Sequence, residues 1–466
     1  MAAHLAALVC LLGIMGLFLL ERDRKTRTSR ALWLPTIWVS IAASRMVSQW
    51  LSTAPQVATG QQYIEGNPLD RAILAGLLVA ALIVLVRRSR RVITILRMNW
   101  PIILFFSYCA ISILWSDYPD VATKRWFKSL GDLVMVLVVL SERDRFAAIK
   151  RLLTRMAFIL VPLSILFIKF YPSMGQAYSV EDALMTNTGV TLNKNTLGNL
   201  CMIIGIASLW RLAIVVRDNY RRTRQGAVHG IILVMVLWLL YEAHSATSLA
   251  CFLMGSGIVL ALELSGKGRA ARVHLIAGVA ATLAIVVLVS PDVYSYFVHA
   301  LGRSTTLTGR VRLWNLLLSM NVNPWFGTGF QSFWLGSRLD RVWSLYGEVT
   351  EAHNGYLEVL LQLGWIGVGL LGLVLVTGYR NVVASFRRDP AVGSLKLAFF
   401  VVAVAYDFTE SAFRMMDPVW IFLLWAVLAV PWAPPPENLE NNELLDLEMV
   451  QNDLPIEVTH IHAGTP

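Results

Sequence analysis

The feature that most constrains this chain is a succession of apolar windows separated by short basic loops. Each window is close to the length that a helix needs to cross about 30 Å of hydrocarbon. In lipid only helices and closed barrels satisfy their own backbone groups, so the pattern predicts an all-α polytopic membrane protein with about 12–13 transmembrane helices. The windows centre near residues 5–20, 31–53, 71–86, 100–115, 128–140, 156–171, 196–215, 228–243, 246–264, 274–290, 355–378, 396–410 and 417–432.

Composition excludes the soluble classes. The 466 residues are 56% hydrophobic and only 15% charged, and the mean hydropathy is +0.60. The formal charge is +10, but the basic residues are dispersed over loops, which indicates membrane orientation and no nucleic-acid partner. All four cysteines lie in apolar windows without C-x-x-C spacing, a pattern that favours neither a zinc site nor a disulfide framework.

Basic clusters predict which loops face the cytoplasm. They occur at alternate connections, so the long loop at 291–354 lies outside. Thirteen spans would place the N-terminus outside; if the first window does not span, twelve remain with both ends inside. The predicted organisation is ten transmembrane helices in 1–290, an outer loop in 291–354, three helices in 355–432 and a disordered acidic cytoplasmic tail in 433–466.

The outer loop contains a predicted amphipathic helix over Arg310–Met320, with apolar residues at helical spacing (Val311, Trp314, Leu317 and Leu318). The pattern suits a helix lying at the membrane surface. Arg310 near its start would favour a bound anion. Arg312 lies about 200° around the helix from Arg310, so both cannot face one ligand. Contact of these arginines with lipid headgroups is the alternative.

Further along the loop, Asn323–Gly329 combines proline and two glycines and predicts a tight turn that ends the helix. His353, where the chain re-enters the membrane, is a candidate proton acceptor because imidazole titrates near neutrality. A hydrogen-bonded cap is its alternative role. Glu358, about one turn beyond Asn354, is either a functional acid or a solvated residue at the rim of the next helix.

Outer-side cations break the charge rule elsewhere. Lys194, Lys124 and Arg125 lie in loops that the alternation places outside, and binding an anionic headgroup would explain them. Neutralisation by nearby acids, such as Asp117 or Asp120, is the alternative. No acidic pair suited to a metal ion stands out in the outer loops.

Taken together, these motifs resemble the O-antigen ligase and bacterial polysaccharide polymerase superfamily, over roughly residues 100–430. The Lys194-Asn195 and Trp115 segments are most similar to the branch that polymerises exopolysaccharide repeats of the succinoglycan type. The motifs are Gly309-Arg310 with Trp314, the Pro324–Gly329 turn, His353-Asn354 with Tyr356-Leu357-Glu358, Lys194-Asn195, Trp115-Ser116-Asp117-Tyr118-Pro119 and Glu410-Ser411.

The resemblance implies an inverting, metal-independent glycosyltransferase without a cofactor, on the periplasmic face of the bacterial inner membrane. The donor would be an undecaprenyl-diphosphate-linked glycan and the acceptor a glycan or lipid-linked glycan. Membrane lipid surrounds such a protein, and chain-length and export proteins are expected partners. Moving finished polymer to lipid A core, as a ligase does, is the alternative reaction, and glycosylation of a protein is a third.

The resemblance also implies roles for individual residues. Arg310 would bind the diphosphate, assisted by Lys194 and Arg303, and His353 would act as base on the acceptor hydroxyl. Glu358 and Glu410 would support or bind the acceptor. The predicted substrate-binding set is completed by Arg312, Asn354 and Arg125.

A transporter or flippase is the alternative of another class, because charged residues in or near spans can line a path. Most of these residues lie near span ends, where charges reach the interface at low cost. The candidates are Arg45, Asp132, Lys169, Asp407 and Glu410.

Overall fold

The computed structural model describes residues 2–21, 28–51, 66–179, 184–217, 223–264, 274, 278, 307–320 and 322–431. These residues confirm the all-α prediction; one small antiparallel hairpin is added. The helices are α1 (Ala2–Glu21), α2 (Trp33–Ala42), α3 (Val47–Trp50), α4 (Pro68–Arg87), α5 (Ser89–Met98), α6 (Trp100–Ile111), α7 (Pro119–Leu140), α8 (Arg145–Phe170), α9 (Pro172–Gly175), α10 (Lys194–Arg217), α11 (Thr223–Ala243), α12 (Ala246–Glu263), α13 (Leu307–Ser319), α14 (Ser337–Tyr346), α15 (Gly355–Arg388), α16 (Pro390–Tyr406) and α17 (Pro418–Val427); the hairpin pairs β1 (Gln176–Ser179) with β2 (Leu184–Asn187).

The number of helices long and apolar enough to span a membrane is smaller than predicted. Seven described helices qualify (α1, α4, α8, α10, α11, α12 and α15), and an eighth span is possible if α5 and α6, bent by 89°, act together. Three of the predicted windows coincide with α2, α16 and α17, apolar helices of 10 to 17 residues that are shorter than the seven candidate spans. The window at 274–290 lies largely outside the described residues, as do 291–306 and the predicted tail at 433–466. The protein is therefore a multi-pass membrane protein with fewer full-length spans among its described helices than the 12–13 expected.

Small residues allow the central helices to pack closely. Helix α12 packs between α10 and α16, and α16 also contacts α15 and α17. A Cβ on Gly255 of α12 would lie 2.5 Å from Ile206 on α10 and 2.9 Å from Val402 on α16. Close approach at small residues is a common way for helices to associate in lipid, where burial of apolar surface alone gives little driving force.

The outer loop builds its own apolar core against the start of α15. Helix α13 and the residue after it bury Leu313, Leu317 and Met320, which are spaced at i, i+4 and i+7. Val311 and Leu318, which were predicted to share this apolar side, are 45% and 58% exposed. Of the predicted apolar face, Leu317 is therefore buried in the loop's own core, whereas Val311 and Leu318 lie outside that core. The core residues are Leu313, Leu317, Met320, Phe333, Trp334, Leu339, Val342, Ala352 and Leu361.

The predicted turn after α13 is inserted into a break in α15. Asn323 Oδ1 accepts hydrogen bonds from the Trp325 and Phe326 amides, which closes the turn. Gly364 has φ +65°, outside the helical range, and a Cβ there would lie 2.2 Å from the Trp325 carbonyl carbon. The Trp365 amide donates to the Pro324 carbonyl across the break. The turn thus fixes the outer loop to the membrane helix through backbone contacts.

The segment before α7 holds the other side of the loop. The Trp115 indole donates to the Phe326 carbonyl, and the Ser116 and Ser332 hydroxyls lie 2.6 Å apart. Asp117 pairs with Arg338 at 2.7 Å. Of the acids suggested as neutralising the outer cations, Asp117 therefore has a partner in the loop itself.

Candidate functional site

Three side chains meet where the outer loop enters α15, and we call Glu351, His353 and Glu410 the carboxylate–imidazole cluster. The His353 Nδ1 atom lies 3.3 Å from Glu351 Oε1 and 3.5 Å from Glu410 Oε2. The side chains are 12% (His353), 21% (Glu351) and 8% (Glu410) exposed, so the imidazole and one carboxylate are largely shielded from solvent. The cluster therefore places an imidazole between two carboxylates on the loop side of the bundle.

Backbone contacts hold these side chains together. Asn354 is the N-cap of α15, and its Oδ1 accepts from the Leu357 amide. The Gly355 amide donates to the Asp407 and Glu410 carbonyls, and a Cβ on Gly355 would lie 1.9 Å from Asp407 Oδ1. Only glycine permits this approach, which brings the loop after α16 against the start of α15.

His353 itself has a left-handed backbone, with φ +50°. Such a conformation costs on the order of 1–2 kcal/mol for a residue with a side chain, and the surroundings must hold it in place. The neighbouring Asn354 amide donates to the Ser411 hydroxyl at 3.0 Å. Non-glycine residues held in this region occur often at functional sites, which agrees with His353 as a site residue.

Two arginines supply the opposite charge. Arg310, in the first turns of α13, donates to the Thr409 carbonyl at 2.6 Å and lies 3.5 Å from Glu410 Oε1. Arg414 pairs with Glu351 and lies 3.9 Å from Asp417 Oδ2. The cluster is therefore flanked by a guanidinium on each side, and the structure brings together Arg310, His353 and Glu410, which the sequence had placed in one site.

The pKa values of the cluster shift in opposite directions. Burial favours neutral imidazole, but the contact with Glu410 and the charge of Glu351 outweigh burial and hold the pKa of His353 above its ordinary value. Glu410 lies four residues beyond the end of α16. Burial favours its neutral form, but His353 and Arg310 outweigh burial and lower the pKa of its carboxyl. The arrangement stabilises imidazolium beside carboxylate.

The same three side chains have the donor set of a metal site. One ligand atom from each of Glu351, His353 and Glu410 lies within 4.8 Å of the others. The sequence showed no such acidic pair, because Glu351 and Glu410 are far apart along the chain. Arg310 and Arg414 already contact these carboxylates, so the positive charge that a metal ion would bring is supplied by side chains.

A cavity of about 390 Å³, which we call the cluster cavity, adjoins the site. It is lined by carboxylates of the cluster, by side-chain amides and by aromatic rings, a mixture typical of a polar ligand site. The lining includes Glu351, Glu410, Asp417, Asn199, Gln362 and Trp334.

Other predicted site residues have well-defined protein contacts. The Glu358 carboxylate accepts hydrogen bonds from the Trp334 indole, the Ala352 amide and the Gln362 amide group, and it is 7% exposed. Arg125 donates to the Gln331 carbonyl at 2.6 Å. Both residues position the outer loop, although Glu358 also reaches the cluster cavity.

The remaining predicted cations have other surroundings or lie outside the described residues. Lys194, at the start of α10, lines a second cavity of about 650 Å³ with Asn187, Glu242 and His244, which we call the hairpin cavity. Arg312 is exposed on α13, and Arg303 lies outside the described residues. The hairpin cavity does reach the neighbourhood of Arg310: Ala246 lines it, and the next residue, Thr247, lies 3.1 Å (Oγ1 to Oγ1) from Thr409, whose carbonyl binds Arg310.

The charges that suggested a transport path have fixed partners. Arg45 donates to the Met174 and Thr191 carbonyls, and Asp132 accepts from the Trp38 indole and the Met416 amide. Lys169 lies 4.0 Å from Glu242. Asp407 accepts from the Ala412 and Phe413 amides, and Glu410 belongs to the cluster. Four of these charges join separate segments of the fold, and Asp407 holds the loop that follows it.

Sequence reasoning missed Glu351, Arg414, Asp417 and Asn199. Glu351 lies two residues before His353, and this proximity was the available signal. The other three become neighbours of the cluster only through the packing of α10, α16 and α17. No local pattern marks them.

Comparison with known proteins agrees with the sequence motifs. The sequence model of the O-antigen ligase family matches residues 231–372, a region that includes α13, the outer loop and His353. The exopolysaccharide production protein ExoQ of Rhizobium meliloti (strain 1021) is 27% identical over 299 residues, which cover 61% of this chain and 66% of that protein. The chain thus spans just under two thirds of that relative. These matches confirm the predicted resemblance, including its exopolysaccharide branch, and support a membrane protein of the polysaccharide ligase or polymerase type.

Proposed function

We propose that this protein is a glycosyltransferase of the bacterial inner membrane that polymerises exopolysaccharide or O-antigen repeat units on the periplasmic face. The donor is an undecaprenyl-diphosphate-linked oligosaccharide and the acceptor is another glycan repeat. The observation that carries the proposal is Arg310 and His353 meeting at Glu410, on the loop side of a multi-pass bundle. The matches to the O-antigen ligase family and to an exopolysaccharide production protein support polymer synthesis.

His353 is the proposed base. Its Nδ1 faces two carboxylates, so Nε2 is the ring nitrogen that takes the proton of the acceptor hydroxyl. The oxygen then attacks the anomeric carbon of the donor from the face opposite the diphosphate, and inversion results. Glu410 and Glu351 stabilise the imidazolium that forms, as a carboxylate does for the histidine of a catalytic triad.

Arg310 is the proposed diphosphate ligand. As the bond from the anomeric carbon to the phosphate oxygen breaks, negative charge develops on the leaving undecaprenyl diphosphate. A guanidinium has five donor hydrogens, and the contacts with Thr409 and Glu410 fix its position while others remain for phosphate oxygens. Arginine charge in this position removes the need for a metal ion, so we propose that transfer is metal-independent.

The test is replacement of His353 by Ala in a strain that lacks the native gene, with membrane abundance measured alongside. We expect long polymer to disappear and single lipid-linked repeats to accumulate. Finished polymer that stays on its lipid carrier would identify a ligase instead. Wild-type polymer from His353→Ala at equal abundance would refute the proposed mechanism.

A further inference from the structure

The lining of the cluster cavity contains more carboxylates than cations. Four carboxylates line it (Glu351, Glu358, Glu410 and Asp417), against the two cations Arg414 and Lys128. Carboxylates in a partly enclosed site repel a diphosphate, whereas they accept hydrogen bonds from neutral hydroxyl groups. The cavity is therefore suited to an uncharged ligand rich in hydroxyl groups.

One buried group in the cavity wall lacks a hydrogen bond. Asn199 on α10 is 3% exposed and lines the cavity. Its Nδ2 lies 3.4 Å from Asp417 Oδ1, which fixes the amide orientation, while its Oδ1 accepts no hydrogen bond from the described part of the chain. A buried carbonyl in this state is unfavourable, and a ligand hydroxyl that donates to it would restore the missing hydrogen bond.

Neighbouring groups fit a sugar in the same space. Gln331 and Gln362 line the cavity. The Gln362 side chain donates to the Glu358 carboxylate and accepts from the backbone N–H of Gln331, which fixes its amide group. The Trp334 indole N–H is also bound by Glu358, so the polar atom of this ring is already satisfied beside the cavity. Fixed amides next to an aromatic ring are typical of a small polar ligand site with defined orientation.

We propose that Asn199 and Asp417 form the floor of a subsite for an uncharged sugar of the acceptor glycan. This inference rests on the proposed function and adds the acceptor's position and chemical class. An acceptor bound here borders Glu410 and Glu351, the two carboxylates that contact the His353 Nδ1 atom, and so lies next to the proposed base. The donor diphosphate stays with Arg310, on the other side of Glu410.

The subsite is tested by binding, independently of catalysis. The probe is the free oligosaccharide repeat released by mild acid from the lipid-linked pool of the same cells, labelled at its reducing end. We expect Asn199→Ala to weaken its binding about three- to tenfold and Asp417→Asn about tenfold or more, because a hydrogen bond to a charged group contributes more than one to a neutral group. The matched control is Asn315→Ala, at an exposed asparagine of α13, which should bind like the wild type.

Kinetics and competition sharpen the test. In an assay of chain extension, the Asn199 and Asp417 variants should raise the KM for the acceptor and leave the KM for the lipid-linked donor unchanged. Inorganic diphosphate should not displace the repeat from the wild-type protein. Thermal unfolding identifies variants that fold poorly. If Asn199→Ala is one of them, Asp417→Asn, which keeps the size of the side chain, still tests the subsite.

The outcomes separate the two proposals. Wild-type affinity in folded Asn199→Ala or Asp417→Asn, or displacement of the repeat by diphosphate, would overturn the subsite. Specific binding of the repeat that the two variants weaken would support it, even if the wild-type protein failed to extend lipid-linked repeats. That failure would count against the proposed function alone.

Discussion

The two ends of the helical bundle both contain partly buried ion pairs, but the pairs are arranged differently. At the end away from the outer loop, Arg217 lies 2.5 Å from Glu263, and Glu21 lies 2.6 Å from Arg211 and 3.6 Å from His229, so that each contact joins two helices. At the loop end, Glu351, His353 and Glu410 form a shared cluster that borders a cavity of about 390 Å³. We infer that the first arrangement serves stability and the second serves chemistry.

Replacing Arg310 should give the largest effect. We expect Arg310→Ala to lower transfer by at least about 100-fold, because the leaving diphosphate loses its charged ligand. Arg341→Ala is the matched control, since this exposed arginine lies on α14 of the same loop, and its activity should stay within about threefold of the wild type. Chain extension measured at equal amounts of folded protein checks both. Equal losses in the two variants would mean that the outer loop acts through general charge.

Replacing Glu263 should affect stability instead. Its side chain is 1% exposed, bonded to Arg217 and to the Ser394 hydroxyl, so Glu263→Ala leaves a partly buried guanidinium without this partner. Removing one member of a buried pair costs about 3–5 kcal/mol of stability. Because Arg217 is 30% exposed, we expect a loss at or below the low end of this range. Thermal unfolding should show the loss, with unchanged transfer per folded molecule. A fall in turnover at unchanged stability would break the contrast between the ends.

The break in α15 offers a smaller structural test. Gly364→Ala puts a Cβ within 2.2 Å of the Trp325 carbonyl carbon at a residue with φ +65°, and we expect a loss of about 2 kcal/mol in stability. Gly369 in the same helix has no atom within 4 Å of its Cβ position, so Gly369→Ala should be neutral or slightly stabilising. Thermal unfolding compares them. Equal behaviour would show that the turn does not depend on the break.

The pH dependence of the transfer rate should show the smallest of the expected effects. A base must be neutral, and the raised pKa of His353 means that activity falls, as the pH drops, at a pH above the ordinary value of about 6.5. Glu410→Gln removes a carboxylate that stabilises the imidazolium, so this limb should move to lower pH. Glu348→Gln, at an exposed residue of the same loop, is the control. Normalised rates against pH measure both.

The stability contribution of His353 has the opposite pH dependence. Because its folded-state pKa is raised, its interaction with the carboxylates stabilises the fold fully below the unfolded-state pKa. This contribution is lost as the pH rises through the folded-state value. For activity, an acidic limb that stays at the same pH in Glu410→Gln would show that the pKa of His353 does not set the pH dependence of the transfer rate.

Much of the fold was predictable because the apolar windows and alternating basic loops are local properties. The membrane class, the outer loop and its helix followed from them, whereas the roles of Arg310 and His353 were implied by the family resemblance and stay predictions. The break at Gly364 was not predictable, since it depends on a contact with a turn about 40 residues earlier. The same reason hid Arg414, Asp417 and Asn199.

The most direct test of the central claim is chain extension by purified protein in liposomes that contain lipid-linked repeats isolated from the same cells. The wild-type protein should lengthen the glycan and release undecaprenyl diphosphate, in the presence or absence of EDTA. His353→Ala and Arg310→Ala should do neither at equal folded amounts. Chain growth by His353→Ala at the wild-type rate, or complete loss of wild-type activity in EDTA that returns with added metal, would contradict the account.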